Sequence, residues 1–217
     1  LDGAAVERPI RVALTPDPAK QGVHPHVAAA VRAAGASLAN AGYAVEEVDP
    51  PDVAGVARCW AALVINETRH VTLPWIRKYG DPDVNRAVEL TLEATPDVGL
   101  DGYIRALAER AKHIRDWMLF LERYPLVVGP VSTEPPFVVG FDTASVERTA
   151  EVLRAQRLLV AANLLGLPAA SVPTGMANGV PLGVQVIGSR YREDLCLDAA
   201  EVIEAQHGLP TPIDPVR

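Results

Sequence analysis

"GLPAASVPTGMANGVPLGVQVIG", Gly166 to Gly188, contains no charged residue, and its flanks widen the gap: nothing between Arg157 and Arg190 carries a formal charge. That is 32 consecutive positions in a chain whose residues are 22% charged. A bilayer span needs about 20 apolar residues in one unbroken helix. Here Pro168, Pro173 and Pro181, with five glycines, break any helix, so the run is expected inside protein. It reads as two apolar strands, Pro168–Pro173 and Leu182–Gly188. The eight residues between them are too few for a crossover helix, so the pair runs antiparallel. Val184, Val186 and Ile187 point to both faces, which calls for cover on both sides of the sheet.

Working outward, Pro9–Asp17 is a short β-rich stretch, and Val27, Val31, Ala34 and Leu38 then repeat at helical spacing up to a stop at Gly42. Tyr43–Val48 is the next strand, closed by Pro50 and Pro51. Strand, helix and strand in this length make a βαβ crossover with parallel strands. Tyr124–Pro136 opens as a strand with Pro130 at its carboxyl end and continues into a Pro-rich loop, the place where α/β sheets carry their sites. Val53–Glu122 reads as three helices broken at Pro74, at Tyr79–Asp83 and at Thr95–Gly99. The last is capped by Asp97 or Asp101 and carries Ile104, Leu107, Ala108, Ala111, Ile114, Met118 and Leu121 along one stripe. Ala144–Gly166 is one further helix, and a final helix runs from about Arg192 to Gly208. The fold class is therefore α/β: a mixed β-sheet flanked by helices, in one domain portion, 1–217, with a helical segment at about 53–122.

The chain's 217 residues, 49% hydrophobic, suffice for a substantial core. A net charge of −7 excludes the basic face on which nucleic-acid binding rests. Cys59 and Cys196 are too few and too far apart for a disulfide framework or a zinc knuckle, which points to a reducing cytoplasm. The opening "LDGAAVERP" has neither an initiator Met nor a secretory pattern, so the expectation is a start within a longer gene.

Catalytic constellations are missing. None of the five serines sits in a G-x-S-x-G elbow or three residues before a lysine. Lys20, Lys78 and Lys112 lie on a turn or on polar helix faces. His24-Pro25-His26 reads as a helix-start turn rather than a metal pair, and "NETRH", Asn66–His70, as a site of surface ion pairing. No cofactor and no metal are expected.

The segment Gln156–Glu204 nevertheless resembles the carboxyl-terminal part of the amidase signature family. The resemblance rests on Asn163, Gly166, Pro168, Ser171, Pro173, Gly175, Gly179, Pro181, Gly183, Gln185 and Gly188, in that order and spacing. It implies the family's α/β/α sandwich and hydrolysis of a carboxamide to acid and ammonia. In the family a lysine and two serines do this work: the lysine takes a proton through a bridging serine, the second serine attacks the amide carbon, and backbone N–H groups hold the oxyanion. That Gly-Gly-Ser-Ser-Gly-type region is absent here, so the resemblance implies catalytic residues upstream, an amino-terminal half as partner, and an inactive chain by itself.

What remains for this part is substrate contact. Gln156, Leu159, Val160 and Asn163 share helical spacings and resemble the family's acyl-pocket wall, with Ser132 at its rim. Glutamyl-tRNA amidotransferase A subunits resemble this helix but carry an aspartate where Gln156 stands. A neutral amide cannot pair with the amino group of glutamine, so a small apolar or aryl carboxamide is the expected substrate. Two other readings compete: a catalytically inactive member or fragment acting as a binding module, and an unrelated α/β ligand-binding protein. The uncharged run also implies an exposed apolar flank through which a homodimer could form. Neither nucleic acid nor membrane is expected as a partner.

Overall fold

The computed structural model describes residues 6–207, so the expected helix end at Gly208 lies outside the described residues. The strands are β1 (Arg11–Leu14), β2 (Ala44–Glu47), β3 (Leu126–Pro130), β4 (Ala169–Ala177) and β5 (Val180–Gly188), in one sheet of order β2-β1-β3-β5-β4. β1 is parallel to both β2 and β3, whereas β5 is antiparallel to β3 and β4. The mixed α/β class expected from the sequence is what the chain adopts. It divides into a sheet unit (the chain up to Pro50, Leu121–Pro136 and the chain from Leu167) and a helical unit (Pro51–Phe120 and Phe137–Gly166).

In the sheet unit, α1 (Pro25–Asn40) makes the crossover between β1 and β2. It ends as the glycine at position 42 suggested: Gly42 N–H donates to the Ala39 carbonyl and Tyr43 N–H to that of Leu38, both at 3.0 Å. Val31, Ala34 and Leu38 of α1 and Leu195, Cys196, Ala199 and Ile203 of α9 (Glu193–His207) form one core cluster with Val12, Val128, Val184, Val186 and Val172 of the sheet. Val184, Val186 and Ile187 are each fully buried, as a strand apolar on both faces requires.

The uncharged hairpin is longer than its strands looked in sequence. Its loop is two residues, Asn178 and Gly179, with φ of 53° and 79°. Two successive positive φ values are those of a type I′ turn, whose twist matches the strands it joins and which Asn-Gly favours. Pro173, which has no N–H to give, is tolerated because β4 lies at the sheet edge, and the register shifts between Pro173 and Gly175. Gly183 has a different reason: a Cβ there would sit 2.9 Å from the backbone carbonyl of Val172.

In the helical unit, Val53–Tyr79 is a continuous helix: α2 (Val53–Trp60), π-helical turns at Ala61–Ile65 and Thr68–Thr72, then α3 (Leu73–Tyr79). The break expected at Pro74 does not occur. Pro74 sits in the first turn of α3, directly after a wide π-turn, where a missing N–H is tolerated. α4 (Pro82–Ala94) is capped by Asp81, and α5 (Gly99–Arg123) is preceded by Asp97, which accepts the Gly99 N–H at 2.9 Å. Ala144–Gly166, expected as one helix, is two, α7 (Val146–Ala155) and α8 (Arg157–Leu165), preceded by a short α6 (Phe141–Ala144). Ser145 interrupts by capping α7, its Oγ accepting from Arg148 N–H at 3.3 Å.

The stripe expected to bury α5 is also corrected. Ile104 and Leu107 are 55% and 47% exposed, while Ala106, His113 and Trp117 are buried. Polar anchors turn the helix this way: Trp117 Nε1–H donates to the Pro51 carbonyl at 2.8 Å, and the Cys59 thiol to that of Ala106 at 3.3 Å. A buried indole N–H left without an acceptor would cost about 1–3 kcal/mol, comparable with half-exposing two aliphatic side chains.

Gly183→Ala should therefore destabilise the sheet unit by about 1–3 kcal/mol through overpacking, and Gly179→Ala by about 1–2 kcal/mol through its left-handed backbone. Urea unfolding followed by circular dichroism should show lower midpoints with unchanged slopes.

Candidate substrate-binding site

Within α8 every residue except Leu159 and Asn163 is buried. Apart from Arg157, itself buried, its sequence carries no charge and packs almost all round, leaving two side chains one turn apart facing outward. Gln156, half-buried, is the joint between α7 and α8 (φ −92°, ψ 12°), and its carbonyl accepts the Val160 N–H at 3.0 Å. Gln156, Leu159 and Asn163 therefore follow one outward line. Val160 does not: it is only 4% exposed. In an ideal helix it is rotated about 40° from Gln156, on the opposite side from Leu159 at about 60°, and that rotation turns it into the core.

Three contacts fix this face. α8 packs against α2. Arg110 Nε–H of α5 donates to the Leu164 carbonyl at 2.8 Å, satisfying an end of α8 that has no intrahelical partner. Trp60, at the end of α2, donates its indole N–H to Asn163 Oδ1 at 2.8 Å. Trp60 was not singled out in the sequence. The available signal was that a tryptophan on an amphipathic helix needs an acceptor for its N–H, and Asn163 was already a candidate.

The "NETRH" segment stitches the helical unit rather than pairing with itself. Glu67 accepts the Tyr103 hydroxyl at 2.5 Å, Arg69 donates to the carbonyls of Leu92 and Thr95 at 2.7 and 2.6 Å, and His70 lies 3.2 Å from Asp97. The Gly99 N–H and then His70 hold the Asp97 carboxyl below its usual range. Glu67, Val71, Leu100 and Tyr103 edge an open groove of about 490 Å³ here.

In the sheet unit, Ser132 follows β3, and its hydroxyl is engaged by its own loop, donating to the Glu134 carbonyl at 2.8 Å and accepting the Glu134 N–H at 3.2 Å. It lines a cleft of about 350 Å³ with Ser171, Pro173, Pro181 and Gly183. Gln185 is 4% exposed, in register with Gly129 and Ser171, and its Nε2 has no acceptor among the described residues.

His24 caps α1, its Nδ1 accepting the His26 N–H at 3.3 Å, so the His-Pro-His stretch is a helix start. Among the described residues no group of three or more His, Cys, Asp or Glu is placed to hold a metal, and no helix is long and apolar enough to cross a membrane. The Asp116 carboxylate, 2.6 Å from Lys112, raises that lysine's pKa, moving it away from use as a base. Both cysteines are free and buried. Burial pushes the Cys59 thiol up and that of Cys196 to about 12, which leaves neither as a nucleophile.

A family model described as Amidase matches residues 2–197. An indoleacetamide hydrolase of Bradyrhizobium japonicum is 40% identical over 210 residues, covering 96% of this chain and 45% of the relative. The glutamyl-tRNA(Gln) amidotransferase A subunit of Lactococcus lactis is 32% identical over 125 residues, 57% of this chain and 25% of that one. Allophanate hydrolase of Kluyveromyces lactis shares the fold with a TM-score of 0.74 at 19% identity, over 91% of this chain and 32% of that chain. The chain thus belongs to the amidase family, and it spans under half the length of the curated relatives it matches.

Because both thiols are protonated and enclosed, a disulfide-exchange reagent should label neither in the native chain at pH 8. Both should react within minutes in denaturant. Fast native labelling of Cys196 would show that α9 does not pack as described.

Proposed function

We propose that this chain is the carboxyl-terminal part of an amidase that hydrolyses a small aryl or apolar carboxamide to acid and ammonia through an acyl-enzyme. The lysine and serines that form the acyl-enzyme belong to another part of the same protein. The face of Gln156, Leu159 and Asn163 is the wall that contacts the acyl group, and Ser132, in the cleft of the sheet unit, is a further candidate for substrate contact. The observation that carries this reading is the outward pair Leu159 and Asn163 on a helix otherwise buried all round: Leu159 is left open there, and among the described residues the Asn163 carboxamide uses only its oxygen, toward Trp60. Leu159 gives an apolar contact, and the uncharged Gln156 offers no carboxylate to an amino group, which favours aryl amides over glutamine. The likeness to an indoleacetamide hydrolase over 96% of the chain supports the same substrate class.

Several features support completion by an amino-terminal half. Ala169 and Ser171 of β4 are exposed, Gln185 Nε2 is buried without an acceptor among the described residues, and Leu100, Ile104 and Leu107 of α5 stand out into solvent. The isolated chain is inactive in this reading and associates through these apolar surfaces as a homodimer. Two free buried thiols suit a cytoplasmic setting.

Ammonia release from indole-3-acetamide, phenylacetamide, a short aliphatic amide and glutamine, measured on this chain and on the full-length gene product, tests the proposal. The full-length protein should turn over the aryl amides and leave glutamine nearly untouched, while the chain releases no ammonia. Leu159→Asp in the full-length protein should raise KM for phenylacetamide about tenfold or more, since burying a carboxylate against an apolar ring costs over about 1.4 kcal/mol. Carboxamide binding without release by the full-length protein would instead establish the binding-module reading.

A further inference from the structure

Asn163 is exposed, and the terminal oxygen and nitrogen of an exposed asparagine ordinarily exchange places by rotation about its last bond. Here one contact decides between them. The Trp60 indole N–H is a donor with no acceptor capacity, so the Asn163 atom 2.8 Å from it is the carbonyl oxygen. The amide nitrogen then points away from Trp60, and no hydrogen bond occupies it among the described residues. Trp60 is itself held: it ends α2, which packs along α8, and Cys59 beside it is buried and bonded to α5.

From this geometry we infer that Trp60 is a positioning residue that locks the Asn163 carboxamide with its N–H groups outward, so that the α8 face selects acyl groups carrying a hydrogen-bond acceptor next to an apolar body. The inference deepens the acyl-wall reading above and rests on it. An outward N–H₂ gains a hydrogen bond from a carbonyl, ether or nitro oxygen on the substrate. The same N–H₂ gives an ammonium nothing to donate to and leaves that cation desolvated against Leu159. Without Trp60 the carboxamide turns freely and offers oxygen or nitrogen as the ligand demands, and the discrimination disappears. Gln156, two turns earlier, has no such lock among the described residues, so Asn163 rather than Gln156 carries the preference.

The test uses the full-length gene product with 4-acetylphenylacetamide, which carries an acceptor, and 4-(aminomethyl)phenylacetamide, which carries an ammonium. The wild-type protein should favour the first by about tenfold in KM, the equivalent of one net hydrogen bond. Trp60→Phe keeps an apolar ring and removes the N–H. It should shrink the ratio to about twofold, with the loss in KM rather than kcat. Asn163→Asp keeps an oxygen for the indole and replaces the outward donor by a second oxygen, and it should reverse the preference. A Trp60→Phe ratio equal to wild type, or an Asn163→Asp protein that still prefers the acetyl compound, overturns the inference.

A second measurement needs no turnover. In the 217-residue chain, the indole N–H resonance that vanishes in Trp60→Phe should exchange with solvent slowly, and should speed up in Asn163→Leu, where its acceptor is gone. Unprotected exchange in the wild-type chain overturns the lock directly. Should the full-length protein release no ammonia from any arylacetamide, the acyl-wall reading fails while the exchange result still decides the lock.

Discussion

β5 carries the largest constraint in the sheet unit. It is paired on both edges, to β3 and to β4, and its residues from Val184 to Gly188 are buried. A strand in that position has no place for a charge, and its backbone groups must all find partners along its edges. The hairpin register meets that demand. The turn at Asn178 and Gly179 fixes which residues oppose one another, and the bare α-carbon of Gly183 lets β4 come close enough to pair. The charge-free sequence is the signature of this double enclosure. Among the described residues of the hairpin two buried side-chain groups remain unmatched, the amide nitrogen of Gln185 and the hydroxyl of Thr174.

The helical unit is organised by a different principle. Its helices are held at their ends and joints by side-chain donors reaching main-chain carbonyls: Trp117 to Pro51, Arg110 to Leu164, and Arg69 to Leu92 and Thr95. Each such bond satisfies a carbonyl at or near a helix or loop end that would otherwise depend on water. Together they set the rotation of α5 and the placement of α8, and so decide which residues of α8 look outward. Trp60 belongs to the same pattern in its geometry but meets a side chain instead of the backbone. That difference makes it a candidate for function rather than for scaffold.

Most of the strand pattern was legible because it depends on local chemistry. The apolar strands, the prolines and glycines that end them, and the short connection between β4 and β5 all leave marks within a few residues. The error in hairpin length came from passing over the Asn-Gly pair, whose turn preference was there to be read. The misread face of α5 has a different origin. Ile104, Leu107 and Ala111 form as regular an apolar stripe as the buried set, and carbonyls far away in sequence, at Pro51 and Leu164, choose between the two. For the candidate site, the spacing marked one stretch of helix, on which Leu159 and Asn163 are exposed. Val160 was misplaced because positions one residue apart on a helix cannot be divided between inside and outside until the neighbouring helix is known. Trp60 was missed because its partner lies 103 residues away.

The helix from Val53 to Tyr79 has one more property that follows from its two wide turns. A π-turn takes in an extra residue, so the phase of the helix slips each time one is inserted, and a repeat that begins on one flank emerges on another. Before the first slip, Trp60 addresses α8; within the second, Arg69 addresses the far end of α4. A single rod thereby serves two neighbours in different directions with no loop to reorient it, working as a vernier.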